Sequence, residues 1–115
     1  ENKEGVNNID EILSINGIDG IIIGLYDLSG SYGILGDFEN KIIVDAENKI
    51  LEAAERNGIS AGIHVVNPDN DLLLSKVKKG FKFIAYGVDM LFLGTSCGQA
   101  MNYIKDNLSS DSDSI

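Results

Sequence analysis

The stretch 18–33, IDGIIIGLYDLSGSYG, constrains this chain more than any other. Its first six residues are an isoleucine-rich run with one glycine, Gly20. β-Branched residues in a short apolar run suit a strand buried on both faces, as in a parallel sheet. Gly24 ends the run, and Asp27 stands just beyond it. Glycines 30, 33 and 36 predict a loop reaching to about Phe38. A carboxylate just past the C-terminal end of such a strand is where α/β barrels and open α/β sheets keep their chemistry.

The rest of the chain supplies layers for that strand. Apolar positions 6, 9, 12 and 13 predict one helix over 6–13. A second, amphipathic helix is predicted over about 39–57, with Ile42, Ile43, Ala46, Ile50, Ala53 and Ala54 on one face. Strands follow at 59–66 and 81–86, and helices at 69–79 and about 90–107. Asp69 suits an N-cap, and Lys76, Lys78 and Lys79 suit the negative end of a helix dipole. Gly17, Gly58 and Gly80 each mark a helix-to-strand junction. Strands alternating with helices imply parallel pairing through right-handed crossovers. Three or four such units do not close a barrel, which needs eight. The chain is therefore a small open sheet or half of a barrel. It opens on Glu1 in ENKEGVNN, which reads like the middle of a domain, and this favours the half-barrel. Residues 1–108 form the partial barrel domain, and 109–115, SSDSDSI, read as a solvated acidic tail.

A hydrophobic content of 43% provides for a real core, and the net charge is −9. That charge argues against nucleic acid or an anionic membrane as a partner, though not against a cation. The one cysteine, Cys97, cannot form an internal disulfide, and a cytoplasmic location is the default expectation. Cys97 is expected to pack in or beside the last helix.

Asp27 can be a metal ligand or catalytic carboxylate, or an Asx-turn or cap residue. Glu1 taken alone reads as a solvated residue. His64, the single histidine, ends a strand; it can ligate metal, move protons, or bond a backbone carbonyl. Asp89 can be catalytic by position but better suits a cap for the last helix. The glycines do not follow GxGxxG, and there is no GxxxxGK[ST], so a nucleotide-phosphate site is not indicated.

The residues ENKEGVNNIDEILSINGIDGIIIGLYDLSGSYG, with GIHVVNPD and GFKFIAYGVDMLFL further on, resemble the second half of the HpcH/HpaI aldolases, the metal-dependent class II pyruvate aldolases. The resemblance implies the C-terminal half of a (β/α)8 TIM barrel. It implies one divalent cation, magnesium or manganese with cobalt as a further option, held by Glu1 and Asp27. The implied substrate is a small-molecule 2-oxo acid whose carboxylate meets the backbone N–H groups of Tyr26 and Asp27. The implied reaction is reversible cleavage of 4-hydroxy-2-oxo acids to pyruvate and an aldehyde through a metal-stabilised enolate. A homo-oligomer is implied as well. Leu25 and Tyr26 depart from the family's usual proline and small residue. The family's base histidine and enolate-steadying arginine lie in the first half of the barrel, so this segment is expected to hold no catalytic base and to be inactive alone. Two alternatives stand beside this reading. One is a citrate lyase β-like or malyl-CoA lyase-like enzyme of the same superfamily. The other is an inactive half-barrel acting as an association module.

Overall fold

The computed structural model describes residues 1–109. The expectation for 109–115 lies outside them, save that Ser109 ends the last helix. Three strands, β1 (Gly20–Ile23), β2 (Ser60–Val65) and β3 (Phe83–Tyr86), form one parallel sheet in chain order. Six helices surround or extend it among the described residues: α1 (Lys3–Asn7), α2 (Ile9–Leu13), α3 (Leu25–Ser31), α4 (Lys41–Asn57), α5 (Asn70–Lys79) and α6 (Asp89–Ser109).

Local chemistry accounts for most boundaries. The Asn40 side chain accepts from the Ile42 N–H to start α4, and Asp69 accepts from the Leu72 N–H to start α5. Gly58 (φ 65°) and Gly80 (φ 111°) end those helices in the left-handed conformation that glycine adopts without strain. The Asp89 carboxylate accepts from the adjacent Met90 N–H, and Asp89 is itself the first residue of α6.

Alternation along the strands sorts the sheet into two unlike faces. Ile23, Ala61, Ile63 and Val65 are buried on one face beneath the helices, with Ile43, Ala46, Ile50, Ala53 and Ala54 of α4 in the same core. The other face carries Ile22, Gly62 and Phe83 side by side in register. Ile22 is 51% exposed and Phe83 42% exposed, so no layer covers that face. Helices on one face only are the arrangement of a barrel segment, not of a doubly wound sheet. The Phe83 ring lies flat across Gly62, where a Cβ would meet it at 2.2 Å.

Several expectations need correction. β1 is buried on one face only, because its inward side has no partner layer. The single helix over 6–13 is two short helices meeting at Asn8, whose conformation (φ −98°, ψ 16°) breaks the first. The supposed loop after Gly24 contains α3: Leu25 and Leu28 gain burial by coiling, and the Ser29 and Ser31 hydroxyls donate to carbonyls three residues back. Ile42 is exposed, not on the buried face of α4. Cys97 is exposed on α6 rather than packed.

α6 is exposed along nearly its whole length, including Met90, Leu93, Met101, Ile104 and Leu108 on one stripe. With the open sheet face, this leaves a large apolar surface in water. The 115-residue chain by itself is expected to associate with concentration in sedimentation velocity. A single monomeric boundary at all micromolar concentrations would contradict this.

Candidate active site

The C-terminal end of β1 runs into Gly24 and then directly into α3. This turn brings Asp27 into the first turn of α3, at the carboxyl edge of the sheet. The N–H groups of Leu25, Tyr26 and Asp27 start the helix and have no acceptor in a preceding turn; the first helical bond runs from the Leu28 N–H to the Gly24 carbonyl at 2.9 Å.

Glu1 is held at the same place by two contacts of its neighbours. Asn2 caps α1 by accepting from the Gly5 N–H at 2.7 Å, and the Lys3 N–H donates to Ser31 Oγ at 3.1 Å. The second bond fastens the N-terminal segment to the helix that carries Asp27. A Cβ on Gly24 would sit 3.4 Å from Asp27 Oδ2 and 3.6 Å from Glu1 Oε1. The two carboxylates thus converge on the bare Cα of Gly24, in space that a side chain there would fill. Both residues are exposed to solvent.

This donor set fits a hard divalent cation. Two carboxylates supply charged oxygen ligands and leave the remaining positions to water and substrate oxygens, as magnesium ordinarily requires. Among the described residues no group of three or more histidine, cysteine or carboxylate side chains gathers to bind a metal, so a thiolate- or imidazole-rich zinc-type centre is not built here.

A cleft of about 180 Å³ opens beside Asp27. Its lining includes Gly24, Tyr26, Asp27, Phe38, His64 and Leu72. Tyr26 meets Phe38 edge-to-face with centroids 4.8 Å apart. The structure therefore places Tyr26 and Asp27 in the cleft lining, with Glu1 on the open side of Gly24 and outside that lining. It sets His64 at the rim, half-buried, with Nε2 3.3 Å from the Gly87 carbonyl oxygen. A proton on Nε2 would donate to that carbonyl, matching the structural reading of this histidine. Asp89 is absent from the cleft lining and opens α6.

Sequence reasoning did not single out Phe38 or Glu47. Glu47 is 1% exposed and pairs with Lys76 at 2.7 Å and Lys79 at 2.5 Å, tying α4 to α5. Lys76 also lines the cleft. In the sequence the lysines point only to a helix dipole; the signal for the pairing is a charged residue on the otherwise apolar face of α4.

A parallel sheet in chain order with helices on one face is the architecture of an α/β barrel segment. Residues 1–94 match the HpcH/HpaI aldolase/citrate lyase family model, and the chain belongs to that family. It is 34% identical over 93 residues to a hydroxypyruvate/pyruvate aldolase of Roseobacter denitrificans, covering 81% of this chain and 36% of that protein. It is 34% identical over 108 residues to a 2-keto-3-deoxy-L-rhamnonate aldolase of Escherichia coli, covering 91% and 39%. The crystal structure of an HpcH/HpaI aldolase from Desulfitobacterium hafniense superposes with a TM-score of 0.82 at 30% identity, covering 91% of this chain and 40% of that one. The chain thus spans about two fifths of the length of these relatives. No helix among the described residues is long and apolar enough to cross a membrane.

Proposed function

We propose that the polypeptide containing this chain is a divalent-metal-dependent aldolase, a carbon–carbon lyase that cleaves 4-hydroxy-2-oxo acids to pyruvate and an aldehyde. The observation that carries this is the convergence of Glu1 and Asp27 at Gly24. Family membership and the names of the relatives support it.

In this reading Glu1 and Asp27 hold magnesium or manganese. A cation bound there supplies Lewis acidity toward negative charge developing on the keto oxygen of the substrate. The backbone N–H groups of Tyr26 and Asp27 orient the substrate carboxylate, since they open α3 without acceptors of their own. The catalytic base and the arginine lie outside this segment, with His64 turned to the Gly87 carbonyl. Assembly into a homo-oligomer and a cytoplasmic location belong to the same proposal.

The test is pyruvate release from 4-hydroxy-2-oxo acids by the whole polypeptide, with and without a chelator. Release that stops with chelator and returns with magnesium or manganese is expected. Chelator-resistant release, or none at all with either metal, would overturn the reading. The 115-residue chain alone is expected to be slower by at least the about 10²–10⁴-fold that general acid–base help contributes. Metal-dependent turnover by the isolated chain at the rate of the whole polypeptide would place the base in this segment, with His64 the first residue to replace.

A further inference from the structure

The cleft beside Asp27 has a wall that the proposed metal pair does not explain. Tyr26 is 44% exposed, yet its ring is fixed edge-to-face on Phe38. Phe38 is itself held in place. The buried Ser29 accepts from the Gly36 N–H at 3.1 Å through its hydroxyl and from the Ile34 N–H at 3.0 Å through its carbonyl. These bonds pin the 29–36 turn and so fix the entry to Phe38. The cleft continues from this aromatic corner along Val65 and Leu72. Its volume is about 180 Å³, and liquid water occupies roughly 30 Å³ per molecule.

We infer that the Tyr26–Phe38 pair is the specificity wall for the aldehyde half of the substrate, and that it selects a short alkyl substituent over a polyhydroxylated one. The inference rests on the aldolase reading above and names the substrate class for that site. An acceptor carbonyl must approach pyruvate near Asp27, so whatever its carbon bears falls into the adjoining cleft. Methylenes gain from burial against Phe38, Val65 and Leu72, about fourfold in binding for each. Hydroxyls placed against those three side chains lose water without gaining partners from them, which costs about tenfold or more. Of the polar residues that share the lining, His64 and Lys76 are engaged by the Gly87 carbonyl and Glu47, leaving Asn67 beside Asp27.

The experiment compares kcat/KM for two series of 4-hydroxy-2-oxo acids, unbranched alkyl and polyhydroxylated, at equal carbon number with the whole polypeptide. A second assay follows metal-dependent exchange of pyruvate methyl protons with deuterium, which needs no aldehyde. The wild type is expected to favour the alkyl series by about tenfold or more. Phe38→Ala is expected to reduce that preference to about twofold while proton exchange stays unchanged. Phe38→Leu, which keeps apolar bulk, is expected to retain most of it and covers the case in which the alanine variant does not fold. A wild type that exchanges pyruvate protons but shows no alkyl preference would overturn the wall alone. So would a Phe38→Ala variant, or a Phe38→Leu variant where alanine does not fold, that departs from its expected preference while exchange is intact. Absence of exchange in the wild type would overturn the aldolase reading, and the wall with it.

Discussion

Asp27→Ala in the whole polypeptide is expected to lower metal-dependent pyruvate release by about 10³-fold or more. A cation acting as a Lewis acid contributes several kcal/mol of charge stabilisation in the transition state. Each 1.36 kcal/mol is a factor of ten in rate, so losing the ion costs about three factors of ten. Asp27 is one of two carboxylates on Gly24, and Glu1 alone is a single exposed ligand. Asp27→Asn is expected to behave nearly as badly, because it keeps the shape and removes the charge. Neither change should unfold the protein. Asp27 is exposed in the first turn of α3, where a carboxylate is worth about 0.3–1 kcal/mol to the helix. Activity falling a thousandfold with an unfolding midpoint near wild type is the expected pair of results. Loss of activity only in proportion to loss of folded protein would contradict it.

Glu47→Ala is expected to produce the largest loss of stability, about 2–4 kcal/mol. The carboxylate is 1% exposed, and its two oxygens meet Lys76 and Lys79 separately. Removing it strands two ammonium groups whose side chains are 12% and 26% exposed. Part of the full buried-pair penalty is recovered because both lysines are long enough to turn outward. A space is also left between Ile43 and Ile50 on the packed face of α4. Urea unfolding of Glu47→Ala, Lys76→Met and the double variant measures the coupling, which is expected to be about 1–3 kcal/mol. A change below about 0.5 kcal/mol in Glu47→Ala would show that the ion pairs hold nothing together. Because Lys76 also lines the cleft, the same variants should raise KM.

The frame of the fold was legible where a residue's local chemistry decides its conformation. Gly58 and Gly80 end helices because each sits at positive φ, and Asp69 caps α5 through its own side chain. Those signals need no knowledge of the rest of the chain. What escaped depends on distant partners. α3 carries Gly30 and two serines, which read as a loop, and it coils because Leu25 and Leu28 find the core. Glu47 looks like any surface glutamate until α5 arrives with Lys76 and Lys79. The exposure of Ile22 is equally non-local, since an isoleucine run cannot tell how many layers will cover it.

The candidate site divides in the same way. Asp27 stands out from the residues alone by its place after a buried strand. Glu1 does not; it gains meaning only through the family resemblance, and the structure then sets it on the same glycine. Phe38 gave no signal in the sequence, because an aromatic residue after a glycine-rich turn reads as ordinary packing. Its contact with Tyr26 exists only once Ser29 has closed the turn.

The shared cation is tested most directly by manganese binding, followed by the paramagnetic resonance signal of the free ion during titration of the whole polypeptide. One manganese per chain is expected. Glu1→Gln and Asp27→Asn should each weaken its binding by about 100-fold, as loss of one of two charged ligands implies. Manganese bound with wild-type affinity by both variants would contradict the assignment of Glu1 and Asp27 as a common metal site.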